Sequence, residues 1–170
     1  MTSAIEITDA GRMAYADALE LQRGLVGRKV SGDERDFLVL VEHPAVITIG
    51  RRGGEKNLRV PRDELAGRGI EVHNVERGGD VTWHGPGQLV GYPIIDIKRA
   101  GLGVTDYLRF LEGVLTESLR GFGIEGFARK GLTGVWTGRG KIAAIGVAVR
   151  RWISFHGFAL NVNTDPCAFD

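Results

Sequence analysis

Twenty-six of the 170 residues are glycine, about double the ordinary share of roughly 7%. Their placement constrains the fold more than their number does. They follow no period and gather in no linker. Instead they punctuate short β-rich runs, where the chain needs positive φ or a close backbone approach. Ile5 to Thr8 reads as a short opening strand, and residues 12–28 as a helix with Tyr15, Ala18, Leu19 and Leu25-Val26 at near-helical spacing. Two β runs follow, Phe37 to Val41 and Ala45 to Ile49, then a polar loop over residues 51–57. A short helix begins near Pro61 and stops by Gly67 or Gly69. Strand character resumes over Ile70 to Val75 and Gln88 to Ile97. A longer helix spans Thr105 to Arg120, with Thr105 as the expected N-cap. Its apolar stripe is Leu108, Leu111, Leu115, Leu119 and Phe122, and Gly121 or Gly123 ends it. Val135 to Thr137, Lys141 to Val149 and Ile153 to Val162 then read as a meander, because tight turns separate them. Many strands with two or three helices imply an α+β fold, a mixed β-sheet sandwich covered by helices.

Composition narrows the class. A chain of this length is expected to form one domain. With 43% hydrophobic and 25% charged residues it is too apolar for disorder. A net charge of +1 lacks the basic footprint of a general nucleic-acid binder. The single cysteine, Cys167, excludes an internal disulfide. No run reaches the roughly 18 apolar residues of a membrane span, and the first residues lack signal-peptide character. The expected setting is cytoplasmic.

Chemistry concentrates between two of the predicted strands. Residues 77–88 read Arg-Gly-Gly-Asp-Val-Thr-Trp-His-Gly-Pro-Gly-Gln. Glycines there let backbone N–H groups approach a ligand, and Arg77 and His84 are candidate donors to a carbonyl or an anion. A polar hairpin is the plainer alternative. Generic motifs fail: Val135 stands where a phosphate loop needs glycine, and Ile142 follows Lys141 where serine or threonine is required. His43, His73, His84 and His156 contain no i, i+4 pair, so no metal site is expected. No Gly-x-Ser-x-Gly elbow occurs. Lys141 opens an apolar run after a glycine turn; it is either a turn lysine in water or a cation that perturbs a neighbouring thiol. Strand alternation puts Gly157, Ala159 and Asn161 on one small-residue face, and His156 with Phe158, Leu160 and Val162 on the other. Cys167 is a candidate nucleophile only if a base or cation activates it.

Residues 77–93, RGGDVTWHGPGQLVGYP, resemble the signature of the lipoyl(octanoyl) transferase family. Gly140 to Gly146 and Ser154 to Val162 are similar to that family's next two blocks, in the same order. The resemblance implies the catalytic fold shared with biotin and lipoate-protein ligases. It implies transfer of an octanoyl group from acyl carrier protein to a lysine of lipoyl domains, those of 2-oxoacid dehydrogenases and of the glycine cleavage H protein, without a cofactor. It implies a cysteine thioester intermediate, with Lys141 stabilising the thiolate. It also implies that Arg77, Gly78, Gly79, Asp80, Val81, Thr82, Trp83 and His84 line the acyl slot together with Ala144, Ile145, Gly146, Gly157, Phe158 and Ala159. The Thr82 to Gly87 run favours the transferase over ligases that activate their acid with ATP. One departure stands out. The family's Pro-Cys-Gly segment is expected about five residues past Asp170, so this chain is expected to lack it, with Pro166-Cys167-Ala168 as the alternative. An acidic carrier calls for a basic docking patch; Arg51, Arg52 and Lys56, or Arg150 and Arg151, are the candidates.

Overall fold

A computed structural model describes residues 4–165. Strand β1 (Ile5–Arg12) leads into helix α1 (Tyr15–Val30), followed by β2 (Asp36–Glu42) and β3 (Val46–Ile49). A short 3-10 turn (Glu55–Asn57), α2 (Arg62–Gly67), β4 (Glu71–Asn74), β5 (Val81–His84) and β6 (Gln88–Ile94) come next. Helix α3 (Val104–Arg120) precedes β7 (Val135–Thr137), β8 (Gly140–Arg150) and β9 (Ile153–Asn161). The α+β architecture with mixed sheets is the one that the glycine-punctuated sequence implies. Residues 81–84, which the sequence places in a polar loop, are instead a strand, because Val81 to His84 pair antiparallel with Ile49 to Val46. Their β-branched and aromatic character outweighs the flanking glycines.

Six strands form one sheet in the order β1-β2-β6-β9-β8-β7, parallel only between β1 and β2. Three form a second sheet in the order β4-β3-β5, parallel between β3 and β4. β7, β8 and β9 are the predicted meander. In β2 the alternation is clean: Phe37, Val39 and Val41 are buried and pack with Ala18, Leu25 and Val26 of α1 and Val90, Tyr92 and Ile94 of β6. The other face of the large sheet takes α3 through Tyr107, Leu111, Leu115 and Leu119.

Two details of α3 differ from expectation. Its N-cap is Gly103, whose N–H is accepted by the Asp106 carboxylate at 3.3 Å, so the capping signal is Asp106 rather than Thr105. Phe122 leaves the stripe and is 83% exposed, because the helix ends two residues before it, at Arg120. Gly123 closes the end at φ 73°, its N–H donating to Arg120 O at 2.9 Å. No helix among the described residues is long and apolar enough to cross a membrane.

β6 and β9 approach each other closely where two glycines meet. A Cβ on Gly157 would lie 2.2 Å from Gly91 O and 2.5 Å from Pro93 Cδ. Backbone cannot yield there as a flexible side chain can, so Gly157→Ala is expected to cost about 1–3 kcal/mol. Gly24→Ala, in the exposed interior of α1 with nothing within 4 Å, is expected to gain about 0.5–1 kcal/mol. Opposite shifts of the urea midpoint in the two variants are the check.

Candidate active site

The segment from Glu76 to Asp80 stitches the two sheets together. Gly50 N–H donates to Asp80 O at 3.1 Å, Arg51 N–H to Arg77 O at 3.0 Å and Arg52 N–H to Gly79 O at 3.1 Å. On the other side Gly78 N–H donates to Val147 O of β8 at 2.9 Å. The Arg77 side chain fixes this junction. Its Nε and Nη2 reach Thr48 Oγ1 at 3.1 and 2.8 Å, Nη2 also reaches Thr48 O at 2.7 Å, and Nη1 reaches Gly78 O at 3.0 Å. Most of its donors are therefore committed to the protein. The expectation that Arg77 serves as an anion donor gives way to a positioning role. Gly50 has to be glycine, since a Cβ there would sit 2.6 Å from Gly79 O and 2.8 Å from Arg77 Nη1.

Between this junction and the β8-β9 pair lies a cavity of about 140 Å³. That is smaller than the roughly 300–1,000 Å³ of sites for bulky ligands and suits a thin chain. Arg77, Gly78, Gly79, Asp80, Val81, Thr82 and His84 line it from the small-sheet side. Ala144, Ile145 and Gly146 of β8 pair with Ala159, Phe158 and Gly157 of β9, and all six line it from the large-sheet side. Lys141 completes the lining. Trp83 is the one sequence-derived residue outside it: its neighbours on β5 take the cavity side, and its ring covers Gly85, where a Cβ would lie 2.1 Å from the indole. Sequence reasoning missed Tyr15, Val90 and Tyr92, which also line the cavity. Their only sequence signal is an apolar spacing that any core residue shows.

The cavity has a buried end and an exposed rim. Tyr15, Val90, Tyr92, His84 and His156 are buried, whereas Asp80 and Lys141 are exposed. At the buried end Tyr15 packs against His43 and His84, with ring centroids 5.4 and 6.2 Å apart. His43 Nδ1 is 2.8 Å from Met13 O and its Nε2 is 2.8 Å from Tyr92 Oη. The carbonyl can only accept, so Nδ1 carries the proton and Nε2 accepts from the tyrosine. His84 Nδ1 is 2.7 Å from Gln88 Oε1, an orientation assigned from Gln88 Nε2 donating to Asn161 Oδ1 at 2.9 Å. The proton of neutral His84 is thus engaged, and its other nitrogen is an acceptor rather than the expected donor. Burial lowers the pKa of His84 to about 3 and of His156 to about 4, and lowers that of His43. Tyr15 is raised to about 12, first by burial. The buried end is uncharged apart from Arg77.

His156 departs from the expected alternation. Its φ of 55° turns the side chain away from Phe158 and Leu160 and toward Phe155, ring centroids 4.8 Å apart. Its N–H donates to Gln22 Oε1 of α1 at 2.8 Å, and its Nε2 faces Glu76 Oε2 at 3.8 Å. Lys141 Nζ lies 5.0 Å from the Trp136 ring centroid. Burial lowers the lysine pKa, opposed by the Glu112 carboxylate. Glu112, which the sequence does not single out, is buried on α3; it accepts from Gly134 N–H at 2.9 Å and from Arg109 Nη1 at 2.5 Å. A Cβ on Gly134 would meet Lys141 Cε at 2.5 Å. Cys167 lies outside the described residues.

The lipoyl protein ligase A/B catalytic domain matches residues 14–170. An octanoyltransferase of Acidobacterium capsulatum is 48% identical over 179 aligned positions, covering 98% of this chain and 73% of the relative. One from Solibacter usitatus is 51% identical over 159 positions, covering 94% and 72%. This chain belongs to the octanoyltransferase family. A crystal structure of lipoate-protein ligase A bound with ATP superimposes with a TM-score of 0.77 at 18% identity, over 97% of this chain and 68% of the ligase, and so shares the fold.

In this octanoyltransferase-family chain the neutral histidines couple stability to pH. A histidine whose folded pKa lies below its unfolded value of about 6.5 contributes fully above that pH. The contribution is lost as pH falls toward about 4 for His156 and about 3 for His84. Each then costs up to about 1.4 kcal/mol per pH unit, or about 2 kcal/mol at pH 5. Urea unfolding at pH 7 and pH 5 is expected to show that loss, and His84→Gln to reduce the difference between the two.

Proposed function

We propose that this octanoyltransferase works by two-step acyl transfer across the cavity between the two sheets, with the acyl chain on the small-residue wall of β8 and β9 and the reacting carbonyl at the Lys141 rim. Octanoyl transfer in lipoate biosynthesis follows from family membership. The observation that carries the mechanism is the convergence of three separated sequence blocks, Lys141 among them, on one narrow slot. The donor is octanoyl-acyl carrier protein. A cysteine thiolate attacks the donor's thioester carbonyl, forming an octanoyl-enzyme thioester and expelling the carrier thiolate, which takes up a proton. The amine of a lysine on a lipoyl domain then attacks that carbonyl, forms the amide, gives up a proton and releases the enzyme thiol. Acceptors are the lipoyl domains of 2-oxoacid dehydrogenases and the glycine cleavage H protein.

An ammonium at Lys141 favours the ionised thiol by charge, while a saturated chain gains by leaving water for the Val90, Ile145 and Phe158 surfaces. The family pattern puts the thiol past Asp170, with Cys167 as the alternative source. The reaction runs in the cytoplasm, where thiols stay reduced.

Intact mass after incubation with octanoyl-acyl carrier protein, followed by hydroxylamine, tests the mechanism. A labile octanoyl adduct abolished by Cys167→Ser assigns the thiol to Cys167. No adduct on the 170-residue chain, with carrier binding retained, leaves a scaffold without its nucleophile. In a chain that forms the adduct, Lys141→Ala is expected to raise the thiol pKa. An unmoved pH profile for alkylation would remove Lys141 from that role.

A further inference from the structure

One carboxylate interrupts the apolar face of α3. Glu112 stands four residues after Leu108 and three before Leu115, within the stripe that packs on the large sheet, and is 2% exposed. A leucine there would continue the stripe, whereas an ionised carboxylate out of water is costly unless its oxygens are met. Both are met. Oε1 accepts from Gly134 N–H at 2.9 Å and Oε2 from Arg109 Nη1 at 2.5 Å. Arg109 Nη1 also reaches Leu132 O at 3.3 Å. The pair thus ties α3 to the last residues before β7.

Gly134 is where this tie meets the site. At φ 134° it leaves no room for a side chain: a Cβ would lie 2.5 Å from Lys141 Cε, 3.2 Å from Lys141 Nζ and 2.5 Å from Ala143 O. The stem of Lys141 therefore rests on Gly134, and the Trp136 ring presents its centroid 5.0 Å from Nζ. A neutral amide would serve the Gly134 N–H at a smaller cost of desolvation. What the carboxylate adds is charge, and that charge acts on the lysine. Arg109 offsets it only in part, because its side chain is 47% exposed to water.

Other ionisable groups surround Lys141. Asp80, Arg77, the neutral His84 and His156, and the tyrosines Tyr15 and Tyr92 share the slot with it. Arg139 shares the shallow groove on its outer side with Asn161 and Thr164. We propose that Glu112 is a positioning residue for the transfer reaction: through Gly134 it sets where Lys141 rests at the rim, and its negative charge holds that side chain as the ammonium. This rests on the role given to Lys141 above. The two members of the Glu112-Arg109 pair then act on Lys141 in opposite directions.

Competitive acetylation with trace acetic anhydride tests this. Read at Lys141 by mass spectrometry, against the exposed Lys98 and Lys130, it follows the unprotonated amine without involving a thiol. Glu112→Gln keeps an acceptor for Gly134 N–H and removes the charge. At pH 8 its Lys141 is expected to react at least about threefold faster, which corresponds to a titration midpoint lower by about half a pH unit. Arg109→Met keeps the aliphatic stem and leaves the carboxylate without its cation, so Lys141 is expected to react more slowly. A loosened loop would move both variants the same way. Unchanged rates, or changes of one sign, overturn the proposal; should Glu112→Gln not fold, the surface variant Arg109→Met decides by slowing or not slowing. In a chain that forms the octanoyl adduct, Glu112→Gln is expected to raise the thiol pKa as Lys141→Ala does, by a smaller amount. An alkylation profile moved by Lys141→Ala and not by Glu112→Gln also overturns the proposal. A profile moved by neither removes the thiol role of Lys141, while acetylation still decides whether Glu112 sets the charge of the lysine.

Discussion

The structure depends on the buried guanidinium of Arg77. A charge out of water is tolerable only when its donors are met, and Thr48 and Gly78 meet them with four contacts of 2.7 to 3.1 Å. The same contacts hold the small sheet, through Thr48, against a loop whose Gly78 bonds to the large sheet. The cavity is thus the space left between two sheets held at a distance by one arginine. Gly50 and Gly146 follow from it: Cβ atoms at these positions would lie 2.8 Å from Arg77 Nη1 and 3.3 Å from Arg77 Cδ. Fixing the slot this way leaves it already formed before anything enters it.

Charge is arranged along the slot in one direction. At the buried end three histidines are kept neutral by burial, with protons on His43 and His84 committed to Met13 O and Gln88. An alkyl tail there displaces no tightly solvated ion. At the rim Asp80 and Lys141 meet water. Lys141 is drawn toward its neutral form by burial and back toward the ammonium by Glu112.

Much of this was legible in the sequence where residue type and spacing report a backbone property. Apolar runs located β2 and β9 and glycine turns delimited the meander, while the family resemblance pointed to Gly78-Gly79, Ala144 to Gly146 and Gly157 to Ala159, all of which line the cavity. What could not be read depends on partners remote in sequence. Thr48 is an ordinary strand residue until Arg77 arrives 29 positions later. Glu112 looks like a surface carboxylate on α3 until the Gly134 turn covers it. Trp83 carried the character of the loop around it, but pairing with β3 made that loop a strand and turned the indole away. His156 was misplaced because strand alternation assumes negative φ, and one residue at 55° defeats it.

Positive φ occurs here both at glycine bends and at three positions that keep a side chain. Gly79, Gly134 and Gly140 sit at bends around the slot, where glycine costs the fold least. His156 and the Arg151-Trp152 tip adopt the same region with side chains present, on the same strand pair. The strain at His156 points Phe155 and His156 to one side, toward α1. The strain at the tip holds Arg151 and a half-exposed Trp152 at the end of the hairpin. Both lie on β9 or on the turn that leads into it, so the strand that walls the slot also shapes the surface beside it. A glycine at any of the three positions would relax the backbone and remove the side chain that the strain keeps in place.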